Sequence, residues 1–394
     1  NTGNPNPFRA RKGSQGNRVI LVVDHYVPTS DKDAGSKTTY QYLKMFLKMG
    51  YAVKFLGDNF LHEEPYSTAL QQMGVEILYG AEYQSGIWDW ILKNKDEIDF
   101  AYLNRPHIAV KYVDFLKKNT NIKIIYYGHD LHFLREYREY ELTGDIQKKR
   151  ESDYWKSIEL SLMEKAAVSY YPSYVEVDAV HELRPEFRLK AITAYVYETF
   201  LEKIDQDFAK REGLLFVGGF AHPPNADAVL WFAKEVFPLI RNHCPVNFYI
   251  VGSKVTEEVQ ALDDPEAGII VKGFVTEEEL AKLYASCRLV VVPLRYGAGV
   301  KGKVVEAVYY GSAIVTTSIG AEGIPEAERV MRIGDTPEEF ARLVEELYEN
   351  PEECRRLSME TQRYIREHFS VEAAWSVIAE DFSLQPGPQE DLAS

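Results

Sequence analysis

The sequence predicts an α/β chain built from two doubly wound, Rossmann-like halves, and three observations carry that prediction. Strand-like apolar runs alternate with helix-like stripes, the alternation restarts midway along the chain, and one β-branched run of the second series ends in a glycine-rich loop.

The first series starts at Arg18. It runs RVILVVD, TTYQYLKMFLKMG, AVKFLGD, STALQQMG, VEILYG, IWDWILKNKDEI, DFAYLN, a helix near Val110 to Asn119, and IKIIYYGHD. Leu43, Phe46 and Leu47 form a helical stripe, and Gly50 stands where a C-cap belongs. The second series opens at GLLFVGG and continues through a helix near Ala226 to Asn242, VNFYIVG, IIVKG, TEEELAKLYASC, LVVVP, a loop and helix, AIVTT and VMRIG. Thr276 and Glu279 make a capping box. Two helical pieces, EEFARLVEELYEN and PEECRRLSMETQRYIREHF, follow Pro337, and SVEAAWSVIAEDF ends the ordered pattern.

These segments suggest a tail at 1–17, an N-terminal half at 18–195 and a polar linker at 196–211. A C-terminal half at 212–368, a last helical segment at 369–384 and a tail at 385–394 complete the division. No short-period repeat is visible, so solenoids and propellers are not expected.

The 394 residues, 45% hydrophobic, suffice for more than one core. No apolar run approaches the roughly 18 residues that span a bilayer, and the polar start lacks a signal-peptide core. A formal charge of -15 argues against broad nucleic-acid binding and leaves room for a small anionic ligand. Cys244, Cys287 and Cys354 are odd in number and widely spaced, which suits a reducing, cytoplasmic compartment and neither a disulfide framework nor a zinc site.

The segment from Arg295 to Thr317 carries most of the functional reading. The run Leu289 to Val292 ends at Pro293, and Gly297, Gly299 and Gly302 then allow backbone N–H groups to approach a ligand before a helix at about Lys303 to Tyr310, closed by Gly311. Lys301 and Lys303 at the helix start suit a diphosphate, with Gly299, Val300 and Gly302 as backbone contacts. Glu306, one turn inside, suits a ribose. A nucleoside-diphosphate sugar is the ligand that this grouping suggests.

His129 and Asp130 end the strand IKIIYYG at the C-terminal edge, where ligands bind in open α/β sheets. Asp130 can either orient His129 or cap the next turn. Gly219, His222 and Asn225 follow the first strand of the second series, where donor contact and a structural role both fit. Asp31 and Asp33 form a DxD pattern in the loop after Pro28.

With these residues in view, the chain from about Arg18 to Phe382 resembles the family-4 retaining glycosyltransferases of GT-B fold, of the bacterial polysaccharide and O-antigen type. FVGGFAHPPNADAV, FYIVGS, the stretch from KGFVTEEELAKLYASC to EAVYYGSAIVTT, and IGAEGI resemble its donor-binding domain. VDHYVPTSDKDAGS, LNRPHIA and YYGHDLHFLRE are similar to its acceptor-side domain. The resemblance implies two Rossmann-like domains facing across a cleft, a C-terminal domain binding the nucleotide sugar, an N-terminal domain presenting a glycan or lipid-linked acceptor, and a last helix crossing back. It implies His129, Glu306 and Lys303 as catalytic residues, with His129 near the reacting carbon, and a loop at Gly35 and Ser36 closing over the diphosphate. Arg105, His107, Asp130 and Arg135 are candidates for lining the acceptor side. No cofactor is expected beyond the donor, and the resemblance implies no metal at Asp31 and Asp33. A site at the inner face of the membrane and fusion or association with other glycosyltransferase domains also fit this type. The family usually has two glutamates eight positions apart. Here the second is Glu306 and the first is Ala298. The usual Arg and Lys that neutralise the diphosphate are not evident in GGFAHPPN, so Lys301 and Lys303 are expected to supply that charge.

The rivals are a non-catalytic sugar-nucleotide-binding scaffold, kept open by Ala298, and a sugar-nucleotide epimerase on the same fold. A phosphorylase lacks its lysine-cofactor signature, and a dehydrogenase lacks GxGxxG after either first strand.

Overall fold

The computed structural model describes residues 18–32 and 34–383. The sequence-predicted tails and Asp33 of the DxD pattern lie outside the described residues. The chain forms two compact units, one of residues up to Val196 together with Ala374 onward, the other Tyr197–Ala373.

Unit 1 holds a seven-stranded parallel sheet of β1 (Val19–Asp24), β2 (Ala52–Gly57), β3 (Glu76–Leu78), β4 (Phe100–Asn104), β5 (Lys123–Tyr127), β6 (Val168–Tyr171) and β7 (Leu189–Ala191), in the order β3-β2-β1-β4-β5-β6-β7. β1 is buried throughout, as a strand covered on both faces must be. Sheet order reverses between β1 and β4, which opens a crevice at their C-terminal ends. The helix Ala34–Lys48 starts four residues before Thr38, and Pro106–Asn119 starts four before Val110 because Pro106 takes the first helical turn, where its missing N–H costs nothing. Gly50 (φ 84) closes the first of these helices with N–H bonds back to Leu47 and, from Tyr51, to Phe46.

Between β5 and β6 the structure has two helices packed on each other, His132–Thr143 and Ile146–Lys165, and Tyr174–His181 precedes β7. Sequence reading did not resolve these elements. Their apolar positions are interrupted by charges that pair locally, as where Lys148 binds Glu136 and Glu139, so the helical stripe is blurred.

The end of the chain packs on unit 1. Phe382 lies against Phe46 (5.0 Å between ring centroids) and Phe100 (5.2 Å), and the Tyr170 hydroxyl donates to buried Asp381 at 2.8 Å.

Unit 2 holds a six-stranded parallel sheet of β8 (Leu214–Val217), β9 (Phe248–Val251), β10 (Ile269–Gly273), β11 (Leu289–Val292), β12 (Ala313–Thr316) and β13 (Met331–Ile333), in the order β10-β9-β8-β11-β12-β13. Its reversal falls between β8 and β11. The helix expected at Ala226 to Asn242 is three pieces: Pro223–Trp231, a π-helical turn Phe232–Val236, and Phe237–Arg241. Pro238 lacks an N–H and sits in the next turn, which accounts for the widened backbone before it. Residues 197–211, expected as linker, are counted with unit 2. Tyr197 N–H donates to Phe369 O at 2.8 Å, and Arg211 is buried with its guanidinium on the Tyr284 carbonyl.

Candidate functional site

Each unit places chemically able side chains at the crevice of its own sheet. In unit 2, the loop after β11 passes Gly297 (φ 132) and Gly299 (φ 73), backbone values that L side chains rarely adopt, and enters the helix Gly302–Tyr309. Lys301 is the N-cap but makes no capping side-chain bond. The first N–H groups of a helix have no partner inside it and concentrate positive potential there. Gly311 (φ 71) ends the helix, its N–H bonding Val308 O and the N–H of Ser312 bonding Ala307 O.

Lys301 is buried and its ammonium holds the Gly299 carbonyl. Lys303 makes no hydrogen bond or ion pair among the described residues. Its Cε lies 3.1 Å from where a side chain at Gly218 would begin, so it reaches across to the loop after β8. Burial pushes the Lys303 ammonium down to about 8, and the charge of Lys301 adds to that shift against the opposing pull of Glu306. A cation held in such surroundings favours an anion beside it.

The loop after β8 completes this group. His222 caps Pro223–Trp231, and its pKa is lowered by burial and by the charges of Lys303 and Lys301. Asn225 is buried; its amide donates to Gly219 O at 2.7 Å, while its Oδ1 has no partner among the described residues. Arg295, where the glycine loop departs, is paired with Asp227 at 2.9 Å.

Glu306 accepts a hydrogen bond from the Tyr284 hydroxyl at 2.9 Å, and Tyr284 is 1% exposed, stacked on Tyr310 at 4.3 Å and 9°. The carboxylate is therefore fixed from behind by a rigid aromatic pair. Sequence reasoning missed Tyr284; the signal available was a large aromatic on the helix that precedes β11.

In unit 1, His129 and Arg105 follow adjacent strands and both adopt positive φ, 65° and 61°. Non-glycine residues in that region cost free energy and cluster at functional sites. Arg105 N–H bonds Tyr127 O at 2.9 Å, and its Nε donates to Asp24 at 2.8 Å. Asp24 also accepts from the Thr39 hydroxyl (2.8 Å) and from the His25 N–H and Nδ1 (each 2.7 Å). Burial alone would raise the Asp24 carboxyl, yet the His25 hydrogen bond and the charges of Arg105 and His129 hold it well below the usual carboxylate range. Arg105 Nη2 lies 2.6 Å from where a Cβ on Gly35 would sit, so a side chain there would displace the guanidinium; Ser36 beside it is buried.

Asn104 Oδ1 lies 2.9 Å from His129 Nε2 and orients the ring. Asp130 pairs with His132 and Arg135, and Arg135 also binds Glu136 at 2.9 Å. Asp130 and Arg135 therefore satisfy each other at the start of His132–Thr143. His107 is exposed, its ring 6.2 Å from that of His25. Asp24 and Asn104, both buried, were missed in the sequence, where each is only the polar end of an apolar run. Asp31 accepts from the Tyr66 hydroxyl at 2.6 Å. Among the described residues no helix is long and apolar enough to cross a membrane, and no group of three or more His, Cys, Asp or Glu is arranged to hold a metal ion.

Residues 211–350 match the family described as glycosyl transferases group 1. An uncharacterized 44.6 kDa protein in the cps region of Klebsiella pneumoniae is 30% identical over 118 residues, a match that spans 28% of this chain and only 30% of that protein. Among solved structures, sucrose-phosphate synthase from Thermosynechococcus elongatus superposes at a TM-score of 0.63 and 13% identity, over 93% of this chain and 98% of its own. Anabaena HepE, in complex with UDP and glucose, gives 0.60 and 16% over 93% and 99%. The two parallel sheets, their strand orders and these likenesses give the chain the GT-B fold, and its residues 211–350 form a glycosyl transferases group 1 domain.

Proposed function

We propose that this chain transfers a sugar, with retention and without a metal ion, from a nucleoside-diphosphate sugar to a glycan or lipid-linked acceptor in cell-surface polysaccharide synthesis. The observation that carries the reading is Lys303, a half-buried cation lacking an ion-pair partner among the described residues, at a helix start beside Lys301. The solved complex of HepE with UDP and glucose supports the donor class, and the cps-region relative supports the pathway. A lipid-linked acceptor would bring the reaction to the cytoplasmic face of a membrane, and association with other glycosyltransferase domains is part of the same proposal.

In the proposed step the bond between the anomeric carbon and the diphosphate oxygen breaks, and the acceptor oxygen bonds to that carbon on the same face. The acceptor's proton passes to the leaving phosphate oxygen. Lys303, Lys301 and the first N–H groups of Gly302–Tyr309 stabilise the charge that builds on the diphosphate. Glu306, held by Tyr284, takes the ribose hydroxyls. His129, turned by Asn104, assists at the sugar. The test is turnover across a panel of nucleotide sugars with glycan and lipid-linked acceptors, with product configuration read by NMR. An inverted product would sink retention, and nucleotide-sugar binding with no turnover across the panel would favour a non-catalytic binding protein.

A further inference from the structure

We propose that Glu322 is the carboxylate that hydrogen-bonds the hydroxyls of the donor sugar, an inference that rests on the nucleotide-sugar reading above. The glycine loop from Tyr296 to Lys301 carries no acid of its own, Ala298 included. Yet a carboxylate stands at it: Glu322 Oε1 accepts the N–H of Gly299 at 3.1 Å, two residues from Lys301, whose ammonium holds the carbonyl of the same Gly299.

Glu322 is delivered there by a built support. It directly follows the turn Ser318–Ala321 at the end of β12. The Thr316 hydroxyl donates to Val292 O at 2.9 Å, and the Thr317 hydroxyl donates to the Leu294 carbonyl, so this turn is tied to the strand end from which the glycine loop departs. Thr317 also accepts the N–H of Gly320 at 3.1 Å. A Cβ on Gly320 would come within 2.0 Å of Thr316 Oγ1, so only glycine lets the turn lie this close.

A carboxylate beside a diphosphate is repelled by it, whereas a carboxylate beside a neutral polyol gains charge-assisted hydrogen bonds. Lys301, Lys303 and the helix start supply the groups that a diphosphate needs. The acid at the loop therefore belongs to the uncharged part of the ligand, next to the diphosphate, which is the sugar.

Calorimetric titration of wild type, Glu322→Gln and Glu322→Ala with UDP and GDP, and with UDP-glucose, UDP-N-acetylglucosamine and GDP-mannose, tests this. Glu322→Gln keeps an oxygen for the Gly299 N–H, and thermal melting checks that both variants fold. Both variants are expected to bind the free diphosphate as wild type does, while affinity for the preferred sugar conjugate falls about tenfold or more. Equal losses for the diphosphate and its conjugate would make Glu322 a loop anchor and overturn the proposal, as would unchanged affinity for both. A wild-type protein that binds none of the five would remove the underlying reading and this inference with it, a result distinct from a failure at Glu322 alone.

Discussion

Lys303 makes the proposed diphosphate site sensitive to pH in a calculable way. Its ammonium is held at about 8 in the free protein, chiefly by burial, against an ordinary lysine value of 10.5. A diphosphate seated beside it favours the charged form and restores the higher value, so binding between these limits takes up a proton. The cation is present below pH 8 and is lost above it, so affinity falls as pH rises. From pH 7 to pH 9 the charged fraction drops from about nine-tenths to about one-tenth, and affinity should fall about tenfold. The ligand and its base titrate too, so the measurement is a ratio. Affinity for one nucleoside diphosphate is followed across that range in wild type and in Lys303→Arg, whose guanidinium stays charged throughout. The ratio should change about tenfold. Parallel curves would refute the argument, because they would mean that Lys303 does not meet the ligand as a titrating cation. Lys301→Met sharpens the test: removing the neighbouring charge should move the midpoint upward without reaching the ordinary lysine value, since burial remains the larger cause.

Tyr284→Phe removes the hydroxyl on Glu306 and keeps the ring stacked on Tyr310; nucleoside-diphosphate affinity should fall several-fold, by about 1 kcal/mol, while pyrophosphate affinity holds, and an equal loss for pyrophosphate would detach Tyr284 from the ribose. His129→Gly relieves a backbone φ of 65° but leaves the buried Asn104 Oδ1 without its imidazole partner, so stability in chemical denaturation should fall by about 1 kcal/mol or less while turnover is lost, and wild-type turnover in that variant would remove His129 from the reaction.

The legible part of this chain was the part in which one residue pattern admits one structure. β1 and β11 are continuous apolar runs with charged residues before them, and such short β-branched runs become buried parallel strands. The glycine loop with Lys301, Lys303 and Glu306 was equally legible, because the spacing of glycines and charges before a helix depends on local backbone geometry. What stayed hidden was set by contacts distant in sequence. Asp24 looks like the end of a strand until Thr39 and Arg105 converge on it, 15 and 81 positions away. Tyr284 meets Glu306 across 22 positions and Glu322 meets Gly299 across 23, and no local pattern announces either pair. His129 and Asp130, neighbours in sequence, meet partners far apart from one another, Asn104 for His129 and His132 for Asp130.

The overall charge of -15 and an anion-binding role are compatible because charge acts locally. At physiological salt, exposed charges more than about 8 Å apart are largely screened, whereas partly buried ones are not. Many of the acidic side chains sit on exposed helix surfaces, some in pairs such as Glu278 with Lys282 and Glu352 with Arg355, where the carboxylate is largely answered by its neighbour. Lys301, buried, and Lys303, half-buried, lie instead at the positive end of a helix, where their charge is screened less than that of exposed side chains. The two acids near them are each held by a donor, Glu306 by Tyr284 and Glu322 by the Gly299 N–H. Fixed in this way, they would divide the proposed site by charge: the lysines and helix N–H groups for the diphosphate, and the two carboxylates for the neutral hydroxyls of the ribose and the sugar on either side of it.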